Sequence, residues 1–256
     1  MKMYSFVLNM SLKLLTISQA AEILGVSIQT LRRWDYSGKL PSASRKAAGY
    51  RHYLKSDIEN YIKNNQKDLF LFKMARNWLA DDSGFEPLSD FYCPDVSVFQ
   101  ARLTRLENEL GKIERINKIF PLISAIAGEI GNNSFDHNLG NWPDILGIFF
   151  AWDLDKGKIV LADRGQGILA TLKKVKPELK NHQEALRTAF TEMISGRAPE
   201  YRGNGLKFVK DVVTANEISL FFQTGNAQLK IKKGDFNINI QKSAINFRGC
   251  LAVIKF

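Results

Sequence analysis

The sequence predicts an α+β multidomain protein: an N-terminal module of short helices with a basic hairpin, a central helical segment, and a C-terminal α/β sandwich. Three observations point there. Apolar residues recur at helical spacing in short, punctuated runs as far as Asn65. Apolar positions alternately four and three apart come after Pro94. Beyond Ile123, strand-like and helix-like stretches alternate. The expected divisions are 11–65, 66–120 and 121–256. The 256 residues suffice to bury a sizeable core, and 45% hydrophobic with 24% charged residues excludes fibrous, disordered and multi-span membrane classes.

No stretch approaches the roughly 20 apolar residues of a membrane helix. The opening MKMYSFVLNMSLK has too short an apolar patch for a signal-peptide core. The expectation is a cytoplasmic protein without a membrane partner. Cys93 and Cys250 lie far apart and outside any CxxC or Cys/His cluster, which reads as two reduced thiols rather than a disulfide or zinc site. Of the net charge of +10, residues 1–65 hold a disproportionate share, ten Lys/Arg against four Asp/Glu. Such a concentration is the electrostatic footprint of a polyanion partner such as nucleic acid.

In order along the chain, Ile17, Ala20, Ala21 and Leu24 mark a first helix, with Thr16 or Ser18 as its cap and Gly25 as its end. Ser27 is placed to cap a second helix, which buries Leu31 and Trp34 and leaves Gln29, Arg32 and Arg33 outside. Gly38 and Pro41 stop it, and the basic stretch from Ser42 to Tyr53 reads as a hairpin. A third helix opens at Ser56 and Asp57, and a fourth covers Phe70 to Leu79.

Phe99, Leu103, Leu106, Leu110, Ile113, Asn117 and Phe120 then form a heptad seam over 97–120. It predicts either a coiled coil joining two copies in a homodimer or a helix packed on its own domain. After a helix from Ile123, strands are expected at Ile145–Leu154, Lys158–Asp163, Ile218–Gln223, Gln228–Lys232 and Gly249–Phe256. Helices are expected at Glu184–Ile194 and Gly205–Val213.

Two short helices joined by a tight turn, with arginines on the second and a basic hairpin after it, can place one helix in a major groove. The pieces Gly25-Val26-Ser27, Thr30-Leu31-Arg32-Arg33-Trp34 and Gly49-Tyr50-Arg51-His52-Tyr53 resemble the winged helix-turn-helix of the MerR family and of excisionase-type proteins. The resemblance covers the first quarter of the chain. It implies binding to double-stranded DNA, with Ser27, Gln29, Thr30, Arg32 and Arg33 at the groove and Tyr50 and Arg51 on flanking phosphates. Beyond this module the chain departs from MerR regulators, so their metal or drug sensing is not implied.

No GxxxxGK[ST] phosphate loop occurs. Three other pieces stand in an informative order. Glu129, Asn133 and His137 are spaced four apart and share one helix face with Asp136 beside them. Asp163-Arg164-Gly165-Gln166-Gly167-Ile168 closes an apolar strand with an acidic acceptor and two glycines that let backbone approach a ligand. Gly203-Asn204-Gly205-Leu206 opens a helix whose N-terminus suits an anion.

Together the three resemble the GHKL ATPases of gyrase, MutL and histidine-kinase catalytic domains, with a Bergerat-type ATP-binding fold over Ile123 to Phe256. The resemblance implies ATP and Mg²⁺ as cofactors. Asn133 would be the Mg²⁺ ligand and Asp163 the acceptor of the adenine amino group. Gly165, Gly167, Ile168, Asp136 and His137 would line the nucleotide, and Gly203, Asn204, Gly205 and Leu206 would meet its phosphates. Leu179 to Tyr201 would be a lid, with Ser195, Gly196, Arg197 and Arg202 available to phosphates.

Glu129 would be the catalytic base of hydrolysis or of transfer to a protein partner. A histidine kinase is not expected, since His52, His137 and His182 do not stand on a helix that precedes the nucleotide motifs as a phosphoacceptor. The sequence thus supports a DNA-binding transcriptional regulator controlled by ATP. Its alternatives are an anti-sigma-like Ser/Thr kinase delivered to DNA and an excisionase-like architectural protein with an inert ATPase fold.

Overall fold

The computed structural model describes residues 14–24, 26–45, 50–64, 67–193 and 205–256. The chain divides into two compact units, Met1–Met74 and Ala75–Phe256. In the first, strand β1 (Leu14–Thr16) leads into α1 (Ile17–Leu24) and α2 (Ile28–Tyr36). Strands β2 (Ser44–Arg45) and β3 (Arg51–Leu54) and helix α3 (Lys55–Asn64) come next. The strands form an antiparallel sheet ordered β1-β3-β2.

Thr16, rather than Ser18, opens α1. Its Oγ1 accepts from the Gln19 amide at 3.3 Å while Gln19 Oε1 accepts from the Thr16 amide at 2.9 Å, a reciprocal cap. Ser27 caps α2, its Oγ accepting from the Thr30 amide at 3.1 Å. Leu15, Ala20, Ala21, Leu24, Leu31, Leu40, Tyr53 and Ile58 make the buried interior.

Helix α4 (Lys67–Ala80) fills the position expected for the fourth helix. The second unit continues with strand β4 (Tyr92–Cys93), α5 (Val96–Leu110), α6 (Phe120–Asn138), β5 (Ile148–Asp153) and β6 (Lys158–Asp163). It then runs through α7 (Gly167–Leu172), α8 (His182–Thr191), α9 (Gly205–Ala215), β7 (Ser219–Thr224), β8 (Ala227–Lys232), β9 (Ile240–Lys242) and β10 (Cys250–Lys255). One antiparallel sheet takes all seven strands in the order β4-β5-β6-β10-β7-β8-β9.

The C-terminal strand therefore sits between β6 and β7, which brings Asp163, Cys250 and Thr224 into one row. Alternate sheet residues Phe150, Leu161, Ala252, Phe222 and Leu229 share a core with Phe99 of α5, Ile126 and Ile130 of α6, Leu186 and Phe190 of α8, and Val209 and Val213 of α9. Strand β8 alternates buried and exposed residues, whereas β6 is buried throughout, as a strand covered on both faces must be.

The heptad seam does not form one helix. Helix α5 ends at Gly111, a short 3-10 turn covers Glu114–Ile116, and Asn117 lies exposed in the connection. Phe99, Leu106 and Leu110 are fully buried within their own unit, as the reading of 97–120 as a helix packed on its own domain expects. The physical reason is a close helix crossing: a Cβ on Gly131 of α6 would lie 2.1 Å from Phe99 Cζ, and one on Gly128 would lie 3.1 Å from Leu103 Cδ2. The two glycines open a groove that takes the α5 side chains. Among the described residues, no helix is long and apolar enough to cross a membrane.

Candidate nucleic-acid interface and nucleotide site

On the first unit, Gln29, Arg32 and Arg33 of α2 are exposed together on one helix face, and Tyr50 is 67% exposed just before β3. The Ser27 and Thr30 hydroxyls lie 2.9 Å apart, and Ser27 caps α2. Arg51 has a partner within its own unit. Its Nε donates to Asp35 Oδ2 at 2.6 Å, its side chain is 11% exposed, and its guanidinium stands 5.0 Å from the centre of the Tyr36 ring. Asp35 also accepts from the Ser42 amide at 2.9 Å and the Ser42 hydroxyl at 3.1 Å. Arg51 thus ties the hairpin to α2.

In the second unit, the last turns of α6 carry Glu129, Asn133 and His137 on one face. Asn133 Nδ2 donates to Glu129 Oε1 at 3.3 Å. The first residue of α9, Gly205, lies against the same carboxylate: a Cβ there would stand 1.8 Å from Glu129 Oε1. Leu206 packs on the core, and Asp136 is exposed. His137 is half-buried, and burial, then the Lys174 charge, holds its imidazole below the ordinary histidine value.

Asp163, at the end of β6, is 2% exposed. Its Oδ2 accepts from Ser134 Oγ at 2.8 Å and its Oδ1 from the Gly165 amide at 2.9 Å. Burial pushes this carboxyl up, and the bonds from Ser134, Gly165 and the Cys250 backbone oppose that rise.

The glycines of the loop meet protein groups. A Cβ on Gly165 would lie 2.0 Å from Asn138 Nδ2, so the Asn138 amide fills the space beside it. Gly167 adopts φ +74° at the start of α7, beside Thr224. Thr224 Oγ1 accepts from the Ile168 amide at 3.2 Å and donates to the Gly249 carbonyl at 3.0 Å.

Sequence reasoning misses several residues of this arrangement. Ser134 and Asn138 stand four apart on the helix that carries Asn133, a spacing that marks them as neighbours on one stripe. Asn138 Nδ2 donates to the Ser134 carbonyl at 2.7 Å and its Oδ1 accepts from the Gln166 amide at 2.8 Å, which latches the 163–167 loop to α6. Thr224 arrives from a distant strand and leaves no local signal. Arg164, 2% exposed, donates to Asp144 at 2.6 Å and to the Trp78 carbonyl.

Of the expected lid, residues 182–191 are α8, whose Leu186 and Phe190 are fully buried, so this stretch is a core helix. Gly203 and Asn204, with Ser195, Gly196, Arg197 and Arg202, lie outside the described residues. A cavity of about 420 Å³ opens beside the loop, lined by Arg164, Gln166, Gly167, His182, Thr224 and Arg248 among others; Glu129, Asn133 and Asp163 are not in its wall.

The donor set fits Mg²⁺ in one respect. Asn133 Oδ1 is a hard oxygen that accepts no hydrogen bond among the described residues, and Mg²⁺ is commonly held by one such protein oxygen together with phosphate oxygens and water. No cluster of three His, Cys, Asp or Glu that could hold a metal alone occurs among the described residues.

The first unit contains a MerR-type helix-turn-helix: residues 16–53 match the model of the MerR family regulatory protein. Two curated relatives add to this. The chain is 42% identical over 71 residues to the type II methyltransferase M.Eco47II of Escherichia coli, covering 28% of this chain and 16% of that protein. It is 27% identical over 107 residues to a probable heavy metal-dependent transcriptional regulator of Haemophilus influenzae, covering 41% of this chain and 79% of that one. The matched stretch thus spans only 16% of the first relative's length.

Among solved structures, the ATPase region of Saccharomyces cerevisiae topoisomerase II superposes with a TM-score of 0.36 at 15% identity, covering 52% of this chain and 37% of that one. The N-terminal domain of a DNA repair protein superposes with a TM-score of 0.29 at 15% identity, covering 60% and 40%.

Proposed function

We propose that this chain is a DNA-binding transcriptional regulator whose second unit binds ATP with Mg²⁺. The DNA half of the reading is supported by the MerR match over 16–53 and by the exposed Gln29, Arg32 and Arg33 on the face of α2. The nucleotide half is carried by one observation. Three motifs distant in sequence converge on the last turns of α6: Asn133 bonds Glu129, Ser134 bonds Asp163, and Gly205 lies against Glu129. In this reading Asn133 Oδ1 holds Mg²⁺, which neutralises phosphate charge when bound. Asp163 accepts from the base, and the N-terminus of α9 faces the phosphates.

Glu129, beside the metal-binding amide, is placed to orient a water or hydroxyl for attack. That same placement supports a second reading, transfer to a Ser or Thr of a protein partner. Titration calorimetry with Mg·ATP on the intact chain, Asn133→Ala and Asp163→Asn tests the pocket. Saturable heat lost in both variants is expected, and no heat in the intact chain overturns the nucleotide half. Phosphate release, or label appearing on a co-purified protein, that vanishes in Glu129→Ala separates hydrolysis from transfer.

A further inference from the structure

Beyond the first 65 residues, the positive charge of the chain is gathered in one stretch. Residues 66–217 are close to neutral, with twenty Lys/Arg against twenty-one Asp/Glu, whereas residues 218–256 hold six Lys/Arg against a single acid, Asp235. That stretch supplies β7, β8, β9 and β10 of the sheet in the second unit.

The sheet puts part of this charge on one face. Phe222, Leu229 and Ala252 turn toward the helices, so their strand neighbours turn the other way. On that other face Lys255 stands opposite Ser219 and Ser219 opposite Lys232, while Lys230 lies two residues before Lys232 and opposite Phe221. Gln228, opposite Gln241, continues the face without charge. Lys230, Lys232 and Lys255 are exposed, and none is in an ion pair among the described residues. Two residues along a strand span about 7 Å and two strand spacings about 10 Å, which sets the three stems close together. The neighbouring acids are engaged or buried. Asp235 Oδ2 accepts from the Lys232 backbone amide at 3.0 Å, and Glu217 pairs with Lys233 at 2.6 Å. Asp153, at the far end of the row that holds Lys255, is 4% exposed.

We propose that this face is a second DNA-contact surface, on which Lys230, Lys232 and Lys255 neutralise phosphates of the duplex backbone. Exposed lysines with serine and glutamine between them complement a row of like negative charges. An ammonium is a point charge without the planar fork that reads a base edge, so the contact adds affinity without sequence preference. Duplex DNA is the polyanion at hand, because in the reading above the MerR-type module over 16–53 binds it. One such module offers a small interface, which a backbone contact from the second unit enlarges. The inference rests on the DNA half of that reading and adds to it a contact surface outside the helix-turn-helix.

The test titrates the full chain into a fluorescent mixed-sequence duplex several helical turns long, over a salt series, with anisotropy as the readout. Removing three phosphate contacts lowers the slope of log affinity against log salt by about 2.7. The triple variant Lys230→Gln, Lys232→Gln, Lys255→Gln is therefore expected to lose about 40-fold less affinity than the unmodified chain between about 50 and 200 mM salt. Lys230→Arg, Lys232→Arg, Lys255→Arg keeps the charge and should keep the slope. So should Lys73→Gln, Lys118→Gln, Lys173→Gln, which removes equal charge from exposed positions elsewhere. Equal melting temperatures establish that each variant is folded. An unchanged slope in the first variant overturns the inference, as does an equal fall in the variant altered elsewhere, which would mark net charge alone. Phosphatidylserine vesicles that bind the unmodified chain and not the first variant, with the DNA slope unmoved, would overturn it in favour of a lipid surface. In each of these cases DNA binding itself survives, with a slope that still falls in Arg32→Gln, Arg33→Gln. Absence of DNA binding by the unmodified chain overturns the DNA half of the reading and the inference with it.

Discussion

At residue 165 a hydrogen atom stands where any other residue would carry a side chain, and the Asn138 amide occupies the space. Gly165→Ala is therefore expected to destabilise the second unit by about 1–3 kcal/mol, as overpacking does. Asn138→Ala in the same chain should recover part of that loss by vacating the space. Thermal unfolding of the two single variants and the double variant measures the coupling, which should exceed about 1 kcal/mol. Additivity would show that Gly165 serves something other than Asn138.

The histidines give a second prediction at this scale. Burial holds His137 and His182 below the ordinary histidine value of 6.5 in the folded state. As pH falls below that value the unfolded chain takes up protons that the folded chain refuses, so stability is complete above it and is lost toward the depressed folded values. The carboxylates held low, among them Asp144 and Glu192, titrate in a more acidic window, below their ordinary values of 3.8 and 4.5. Melting temperature should decline from about pH 7 to pH 5, and a His137→Gln, His182→Gln chain should decline less.

At the scale of elements, the Asp35–Arg51 pair joins α2 to β3 and so fixes where the hairpin stands relative to that helix. A residue that neutralises a phosphate lowers the salt dependence of DNA binding by about one counterion when removed. A residue that positions the hairpin weakens binding with that slope preserved. Arg51→Gln is expected to do the second and Arg32→Gln or Arg33→Gln the first. Fluorescence anisotropy over a salt series separates them; a slope reduced in Arg51→Gln would return Arg51 to the phosphates.

The α5–α6 crossing makes a second element-scale prediction. Phe99→Ala empties a fully buried site packed on Gly131 and should cost about 3–5 kcal/mol of stability in the second unit. Sedimentation should show whatever oligomer the unmodified chain forms left intact by Leu103→Ala, because that side chain packs on α6 of its own unit.

For the whole molecule, control of DNA by nucleotide requires that ATP bind one arrangement better than another. Mg·ATP is expected to shift operator affinity of the full chain by about 5- to 150-fold, measured by electrophoretic mobility. Asn133→Ala should abolish the shift while leaving nucleotide-free DNA binding unchanged. An Asn133→Ala chain that still responds would place the control elsewhere.

Much of this architecture is legible in local patterns. Thr16 and Ser27 announce their helices through caps, the alternating residues of 227–232 announce a half-buried strand, and the 163–168 loop declares itself by its turn chemistry. Those features depend on residues within a few positions of one another, so composition and spacing alone determine them. The same holds for the basic N-terminal module and for the three motifs as candidates.

What only the tertiary structure decided involves partners distant in the chain. The seam over 97–120 does not announce that Gly128 and Gly131 receive Leu103 and Phe99. Thr224 joins the loop at Gly167 only because β10 separates β6 from β7 in the sheet. That Arg51 is held by Asp35, sixteen residues earlier, leaves no local signal either. Spacing states which residues share a face; which partner fills that face depends on chain reversals and close contacts between distant segments, and these exist only once the chain has folded.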